Sequence, residues 1–196
     1  MPEIITRVLD KVNSPDDLKK LEIGELYELS KEMRELIIKK VNTTGGHFGP
    51  NLGIIEATIA LHYVFNSPVD KFVFDVSHQC YSHKILTGRK EGFTNPDNYL
   101  KYTGYTAPEE TNHDVFKIGH TSTSISLATG LAKGRDLLGG KENVIAIIGD
   151  GSLTGGEALE GLNNAATLGS NIIIIVNDND MSIAENQGGI CNLLTE

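Results

Sequence analysis

Two short runs of aliphatic residues, each followed by polar side chains, lie in the second half of the chain. They occupy residues 144–148 and 172–176, and the residues between them have a helical spacing that reaches Leu168. Aliphatic runs of this length are typical of strands that are buried on both faces of a sheet. The pattern therefore predicts a strand, a helix and a second strand, with the two strands parallel.

The first half of the chain predicts further helices and one more strand. Residues 71–76 read as a strand, and residues 23–41 read as a long helix whose apolar side chains share one face. Ser14 is expected to cap a helix that starts at Pro15. The other predicted segments are helices at 3–13, 52–65 and 127–138 and a polar surface excursion at 89–118. This order predicts an α/β fold with an open, mainly parallel sheet flanked by helices.

The two strands of the second half end at oxygen-bearing side chains. Asp150 ends the first strand and Asn179 ends the second, and parallel strands bring their carboxyl ends to one edge of the sheet. The glycine-rich loop 149–156 adds backbone N–H groups at a helix start, which suit phosphate oxygens. Carboxylate and amide oxygens suit a hard cation such as Mg²⁺. This edge is therefore predicted to hold a magnesium-bound diphosphate.

Two other phosphate-binding loops do not fit this position. A P-loop needs a lysine after its last glycine, and Glu157 stands there instead. A Rossmann loop needs a third glycine where Thr154 stands. The carboxylate of Asp150 would also face a dinucleotide pyrophosphate without a compensating charge. A metal-bound diphosphate explains this acid better than a dinucleotide does.

Three loops carry histidines that are candidates for chemistry. His47 lies in a glycine-rich loop between two helices, where the backbone can approach a ligand closely. His78 follows the strand 71–76, at the edge where open α/β sheets bind ligands. His120 precedes a run of hydroxyl residues at a helix start. That run is either an anion or polar-ligand site or a simple helix cap.

Other polar residues near these loops are predicted to have lesser or no roles. Gln79 and Lys84 are further candidates at the end of the strand 71–76. His83 is predicted to be a surface residue of a helix. Lys133 and Arg135 are predicted to be solvated.

Composition limits the classes of partner. The net charge of −9 argues against non-specific binding to nucleic acid or to an anionic membrane. The N-terminus has no long apolar segment, which predicts a cytoplasmic protein without a membrane span. Cys80 and Cys191 form no CxxC pair, so both are expected to be free thiols in a reducing compartment.

Several motifs in chain order point to one family. The Gly-Asp-Gly at 149–151, followed at this spacing by Asn-Asp-Asn at 177–179, resembles the thiamine diphosphate motif. The segments that narrow the resemblance are residues 45–48, 75–79, 83–89, 119–126 and 177–183. With these segments the chain resembles the 1-deoxy-D-xylulose-5-phosphate synthases of the transketolase superfamily, from about residue 20 to its end.

The resemblance implies a role for each matching position. The side chains of Asp150 and Asn179, with the carbonyl of Met181, would hold Mg²⁺ together with oxygens of the diphosphate. His47, His78 and His120 would line the active site and move protons or grip substrates. The implied cofactor-binding residues are His78, Thr121, Ser122, Gly149, Gly151, Ser152, Asn179 and Ile183.

Positions around the substrate mouth depart from the family pattern. The family usually has a serine where Gly45 stands, and Ala-Ser-Gly where residues 49–51 read Gly-Pro-Asn. Ser77 replaces a glycine, Phe74 replaces a tryptophan, and residues 101–110 differ from a glycine-rich equivalent. A paralogue that acts on another keto sugar or keto acid is therefore an alternative.

The resemblance also implies missing parts. Residues 1–196 are expected to form the diphosphate-binding domain, with 1–41 as an N-terminal helical segment, an incomplete sheet and no pyrimidine-binding or C-terminal domain. In the family, a glutamate of the pyrimidine-binding domain activates the cofactor. We therefore expect the chain alone to be inactive and to need that domain or a partner chain.

The activity implied by the resemblance is a transfer reaction in isoprenoid biosynthesis. It condenses a 2-oxo acid or ketose donor with an aldose phosphate acceptor. Because the family is dimeric, a homo-oligomer is expected. The alternative from another class is a stand-alone, non-catalytic module that binds the cofactor or another protein.

Overall fold

The computed structural model describes residues 7–178 and Gly189. Three parallel strands form one sheet in the order β1 (Lys71–Phe74), β2 (Val144–Gly149) and β3 (Ile173–Asn177). The helices are α1 (Pro15–Leu18), α2 (Ile23–Thr44), α3 (Gly49–Leu52), α4 (Ile55–Val64), α5 (Tyr81–Lys84), α6 (Glu91–Thr94), α7 (Ser124–Leu137), α8 (Asp150–Leu153) and α9 (Gly156–Leu168). This arrangement confirms the predicted α/β class with an open parallel sheet flanked by helices.

The two faces of β2 pack against different helices. Val144, Ala146 and Ile148 lie in one hydrophobic cluster with residues of α7 and α9. The alternating residues Ile145 and Ile147 pack on the opposite face, in a cluster that includes α4. Successive strand residues point to opposite faces, so a run of five aliphatic residues can serve both layers. The prediction of a fully buried strand is correct for β2.

The strand β3 is less buried than predicted. Its neighbour β2 lies between two strands, and residues 144–148 are at most 1% exposed. Within the described part of the chain β3 has only one neighbouring strand, and Val176 is 39% exposed. An aliphatic run by itself does not distinguish a central strand from an edge strand, because burial also depends on what lies beside the strand.

The N-terminal predictions need correction. Within the described part of segment 3–13, the only helical piece is the single turn Leu9–Lys11. Ser14 precedes α1, but its side chain accepts no capping hydrogen bond. Instead the Ser14 hydroxyl donates to Asp17 Oδ2 at 3.1 Å, and the same oxygen accepts the Asn13 N–H at 3.1 Å. The Asp17 side chain thus binds the two residues that precede α1, and the first turn of the helix has no side-chain cap.

Segment 89–118 is not a simple surface excursion. Its residues Phe93, Tyr99 and Ala107 are at most 4% exposed. Asp114 also lies inside, where its two carboxylate oxygens form ion-paired hydrogen bonds with Arg89 at 2.7 and 3.0 Å. Part of the charge in this segment, on Arg89, Glu110 and Asp114, is paired in the interior, which a composition pattern cannot reveal.

His83 is buried, contrary to its predicted position on a helix surface. Its Nε2 lies 2.8 Å from Asp114 Oδ1, and its Nδ1 lies 2.8 Å from His62 Nε2. Asp114 is paired with Arg89 and acts as an acceptor, so His83 donates through Nε2. Burial lowers the pKa of His83 and of His62, so at pH 7 the Nδ1 of His83 is unprotonated and accepts. His62 then donates through Nε2, and its buried Nδ1 is left with no partner within the described residues. Both rings are therefore neutral.

Arg135 is also buried, although Lys133 is exposed as predicted. The Arg135 guanidinium donates to the carbonyls of Glu142 and Asn171, both at 2.9 Å. These carbonyls precede β2 and β3, so Arg135 joins the end of α7 to the loops that lead into both strands. A long-range contact of this kind leaves no periodic signal in the sequence.

Cys80 is a free, buried thiol, as predicted, and burial raises its pKa to about 12. Cys191 lies outside the described residues. In the part of the chain that is described, no helix is both long enough and apolar enough to cross a membrane.

We predict that the free energy of unfolding falls as the pH is lowered from 7 to 5. Burial lowers the pKa of His62 and His83, and it lowers the pKa of His113 to about 4. The unfolded chain protonates these rings near pH 6.5 while the folded chain keeps them neutral, so acid favours the unfolded state. Each such ring contributes a slope of up to about 1.4 kcal/mol per pH unit.

Urea unfolding of the wild type and of His62→Gln at pH 7, 6 and 5 measures this slope. The slope should be smaller in His62→Gln, because one group that takes up a proton on unfolding has been removed. The matched control is Asn164→Gln, which changes an exposed side chain that does not titrate and should leave the slope unchanged. An identical slope in all three proteins would contradict the assignment.

Candidate functional site

The carboxyl ends of the strands lie together at one edge of the sheet. In the register of the sheet, Gly149 of β2 pairs with Asn177 of β3. Asp150 follows Gly149 directly and begins the short helix α8. The strand β3 ends at Asn177, and Asn179, Met181 and Ile183 lie outside the described residues. The register therefore brings the ends of β2 and β3 to neighbouring positions.

The described residues leave space beside the end of β2. Asp150, Gly151 and Ser152 are partly exposed. Among the described residues, a Cβ atom added at Gly149 would meet no other atom within 4 Å, and the same holds at Gly119 in the neighbouring loop. Among the described residues no group of three or more His, Cys, Asp or Glu side chains converges. The Asp150 carboxylate at this edge is an oxygen donor of the kind that Mg²⁺ prefers.

The loop before α7 is joined to the loop after β2. The Ser122 hydroxyl donates to the Ser152 carbonyl at 2.7 Å. Gly155 lies so close that an added Cβ would come within 2.0 Å of Ser122 Oγ. Ser122 is 7% exposed, whereas Thr121 and His120 are exposed. The candidate cofactor-binding residues of these two loops thus lie next to each other.

The backbone N–H groups at the start of α7 bind a carboxylate of the protein itself, that of Asp75. Asp75 follows β1 and is 1% exposed. Its two carboxylate oxygens accept the N–H groups of Ser122 and Ser124, each at 2.9 Å. A carboxylate is stabilised by N–H groups at a helix start and by the helix dipole. These two N–H groups are therefore engaged within the protein, and a contact of Ser122 with a cofactor remains a prediction.

The chain turns sharply after Asp75. Val76 and Ser77 have φ angles of 57° and 68°, which non-glycine residues seldom adopt, and least of all β-branched ones. The Ser77 hydroxyl donates to the Ile118 carbonyl and accepts the Thr106 N–H, both at 3.1 Å. Such backbone persists only where the surroundings hold it, as they do here. The turn joins the loop after β1 to the segments that contain Thr106 and Ile118, and it leads directly into His78.

His78 and His47 form a pair of imidazole rings, called here the two-histidine pair. Their ring centroids are 5.0 Å apart in an edge-to-face arrangement, and Tyr105 lies 5.8 Å from His47 on another side. Burial lowers the pKa of His78, His47 lowers it further, and Asp75 partly opposes the shift. His78 is therefore a neutral ring at pH 7, able to accept a proton.

His120 lies apart from this pair at an open pocket of about 380 Å³. Its Nδ1 lies 2.8 Å from the Thr121 carbonyl, so Nδ1 carries the proton and Nε2 is the basic nitrogen of the neutral ring. The pocket is also lined by Lys117, Ser126 and Glu157. His120 thus lies in the loop before α7, at a pocket that Glu157 also lines, and it is not part of the two-histidine pair.

The sequence pattern missed two residues that organise this edge. The sequence pattern predicts only that Asp75 lies near the end of a strand. A carboxylate directly after an apolar run was the one signal that it binds the start of another helix. Asn51 was one residue of a glycine-rich loop, and its type gave no sign that it would be fully buried.

An open parallel α/β sheet with polar loops at the carboxyl ends of its strands defines the class of cofactor- and nucleotide-binding domains. Comparison with known proteins narrows this class. The family model described as 1-deoxy-D-xylulose-5-phosphate synthase matches residues 9–196. The chain belongs to the 1-deoxy-D-xylulose-5-phosphate synthase family.

Individual relatives support this membership. A 1-deoxy-D-xylulose-5-phosphate synthase of Caldanaerobacter subterraneus subsp. tengcongensis is 53% identical over 189 residues, which is 96% of this chain and 30% of that protein. The synthase of Halothermothrix orenii is 51% identical over 96% of the chain and 30% of its own length. Synthase 2 of Geobacter sulfurreducens is 50% identical over 97% of the chain and 30% of its own length. The chain thus spans about 30% of the length of these relatives.

Proposed function

We propose that this chain is the part of a 1-deoxy-D-xylulose-5-phosphate synthase-like transferase that binds the diphosphate of thiamine diphosphate through Mg²⁺. The observation that supports the proposal is the parallel register of β2 and β3, which pairs Gly149, the residue before Asp150, with Asn177, two residues before Asn179. Asp150, Asn179 and the Met181 carbonyl are the proposed metal ligands. The N–H groups of Gly151 and Ser152 are the proposed donors to the diphosphate.

The two-histidine pair gives this site its proposed chemistry. When bound, thiamine diphosphate supplies an electron sink for making or breaking a carbon–carbon bond next to a carbonyl group. His78, held neutral, is suited to accept a proton from a donor or acceptor substrate, and His47 lies against it. His120 lies nearer to the loops of the proposed diphosphate site. The proposed substrates are a 2-oxo acid or ketose donor and an aldose phosphate acceptor.

The proposal assigns only one end of the cofactor to this chain. Residues 1–196 are proposed to form the diphosphate-binding domain. The pyrimidine end would be held and activated by a pyrimidine-binding domain or a partner chain, in a homo-oligomer of the cytoplasm. On its own, the chain is proposed to bind the cofactor without turning over substrates.

Titration of the chain with thiamine diphosphate, with Mg²⁺ and with EDTA, tests the proposal. We expect binding that requires the metal, and we expect Asp150→Ala to weaken it roughly tenfold or more, because a metal ligand is lost. The matched control is Asp97→Ala, which removes one exposed carboxylate elsewhere and should leave the affinity unchanged. Equal binding by Asp150→Ala and the wild type, or binding that is indifferent to the metal, would refute the metal assignment.

A further inference from the structure

Asn51 lies between the two loops that carry the two-histidine pair. It is 0% exposed. Its side-chain amide donates to the carbonyl of His47 at 2.7 Å and to the carbonyl of His78 at 2.8 Å. Its side-chain oxygen accepts the N–H of Tyr81 at 2.9 Å. One side chain therefore satisfies two carbonyls and one N–H group from two separate segments of the chain.

We infer that Asn51 is the positioning residue that fixes His47 and His78 against each other. The two histidines are separated by 31 positions, and α3, α4 and β1 lie between them. Asn51 binds the backbone carbonyl of His47 and that of His78, so it fixes each chain segment at the residue that carries the ring. Its amide can do so because it has two donors on one nitrogen, pointing in different directions.

Asparagine suits this position better than the other small polar residues. Serine has one donor and can satisfy only one of the two carbonyls. Aspartate has no donor when ionised and would place a charge against two carbonyl oxygens. A carbonyl inside the protein that loses its hydrogen-bond donor is destabilising, so the two loops are expected to move apart rather than stay in place.

The neighbouring tyrosine completes the arrangement. Tyr81 begins α5, and its hydroxyl approaches Gly46, the residue before His47. Gly46 has a φ of 132°, and an added Cβ would come within 2.7 Å of that hydroxyl. The Tyr81 side chain thus packs on the turn before His47, while its N–H is held by Asn51. Both contacts hold the loop that carries His47 against the segment that follows His78.

This inference deepens the proposed function, because the catalytic role of the two-histidine pair rests on that function. The positioning of the two rings can be measured without a cofactor. In the 196-residue chain, NMR follows the titration of the six imidazoles and the contact between the rings of His47 and His78. In Asn51→Ala we expect loss of that contact and a rise of the His78 titration midpoint towards its ordinary value. The buried pair His62 and His83 is the internal reference and should keep its wild-type signals.

The control variant is Asn143→Ala, which removes another asparagine with side-chain hydrogen bonds, here to Asp70 at 3.0 Å. It should leave the signals of His47 and His78 unchanged. Asn51→Ser keeps one donor and is expected to give an intermediate shift, so it serves if Asn51→Ala does not fold. The inference is overturned if the rings of His47 and His78 keep their contact and His78 keeps its titration midpoint in the Asn51 variants, or if all buried histidines shift together.

Thiamine diphosphate titration of the same samples separates this inference from the proposed function. The hydrogen bonds described for the Asn51 side chain go to His47, His78 and Tyr81 and not to the proposed metal ligand Asp150, so Asn51→Ala should retain binding that depends on Mg²⁺. If the wild type fails to bind the cofactor, the proposed function fails, and the ring contacts still decide the role of Asn51.

Discussion

Replacing Asp75 by alanine is expected to lower the free energy of unfolding by about 3–5 kcal/mol. The Asp75 carboxylate is buried and accepts the N–H groups of Ser122 and Ser124, so its removal leaves two buried donors without an acceptor. It also removes the negative charge at the positive end of the α7 dipole. Because Asp75 follows β1, the same two hydrogen bonds join the sheet to the loop that carries His120.

Urea unfolding of three variants tests this expectation. Asp75→Asn keeps the shape and one acceptor oxygen, so its loss of stability should lie between that of alanine and the wild type. Asp97→Ala removes an exposed carboxylate and should change stability by less than about 0.5 kcal/mol. A loss in Asp75→Ala no larger than that of the exposed control would show that Asp75 does not hold α7.

The second large effect is expected at Asp114, which is the centre of a buried ionic cluster. Its carboxylate accepts hydrogen bonds from the His83 ring, from two nitrogens of Arg89 and from the Ala107 N–H, at 2.7–3.0 Å. Arg89 is 3% exposed and also pairs with Glu110 at 2.9 Å. These bonds hold the pKa of Asp114 well below its usual range, against the effect of burial. Asp114→Ala should therefore cost about 3–5 kcal/mol, because it leaves a buried guanidinium short of a partner.

Two comparisons show whether that cost comes from burial of the pair. Glu109 and Lys117 form an exposed ion pair in the same segment, and Glu109→Ala should cost much less stability than Asp114→Ala. The double variant Arg89→Met, Asp114→Leu removes both charges and should lose less stability than the two single variants together. Equal losses in Asp114→Ala and Glu109→Ala, measured by urea unfolding at pH 7, would contradict this account.

The elements that depend on local pattern were predictable. The helix α2 was predicted at 23–41 and ends at Thr44, and β2 was predicted at 144–148 and ends at Gly149. Burial periodicity within one element is a property of consecutive residues, so it is visible in the sequence. The order of strands and helices then restricted the fold to an open parallel sheet, because parallel strands need crossover connections.

The candidate site was predictable in part for a similar reason. Parallel strands bring their carboxyl ends together, so residues such as Asp150 and His78 could be assigned to one edge from their position after a strand. The family resemblance rested on short motifs of fixed spacing, and the family match over residues 9–196 bears it out. Asn179, Met181 and Ile183 stay predictions, because they lie outside the described residues.

By itself, then, the sequence determined the class of fold, the edge at which the candidate residues gather and the family. Only the tertiary structure decided that His83 and Arg135 are buried, that Asp75 occupies the start of α7, and that Asn51 lies between His47 and His78. Each of these facts depends on contacts between residues far apart in the chain. The burial and partners of a polar side chain are set by which segments pack around it, and no local pattern of residues contains that information.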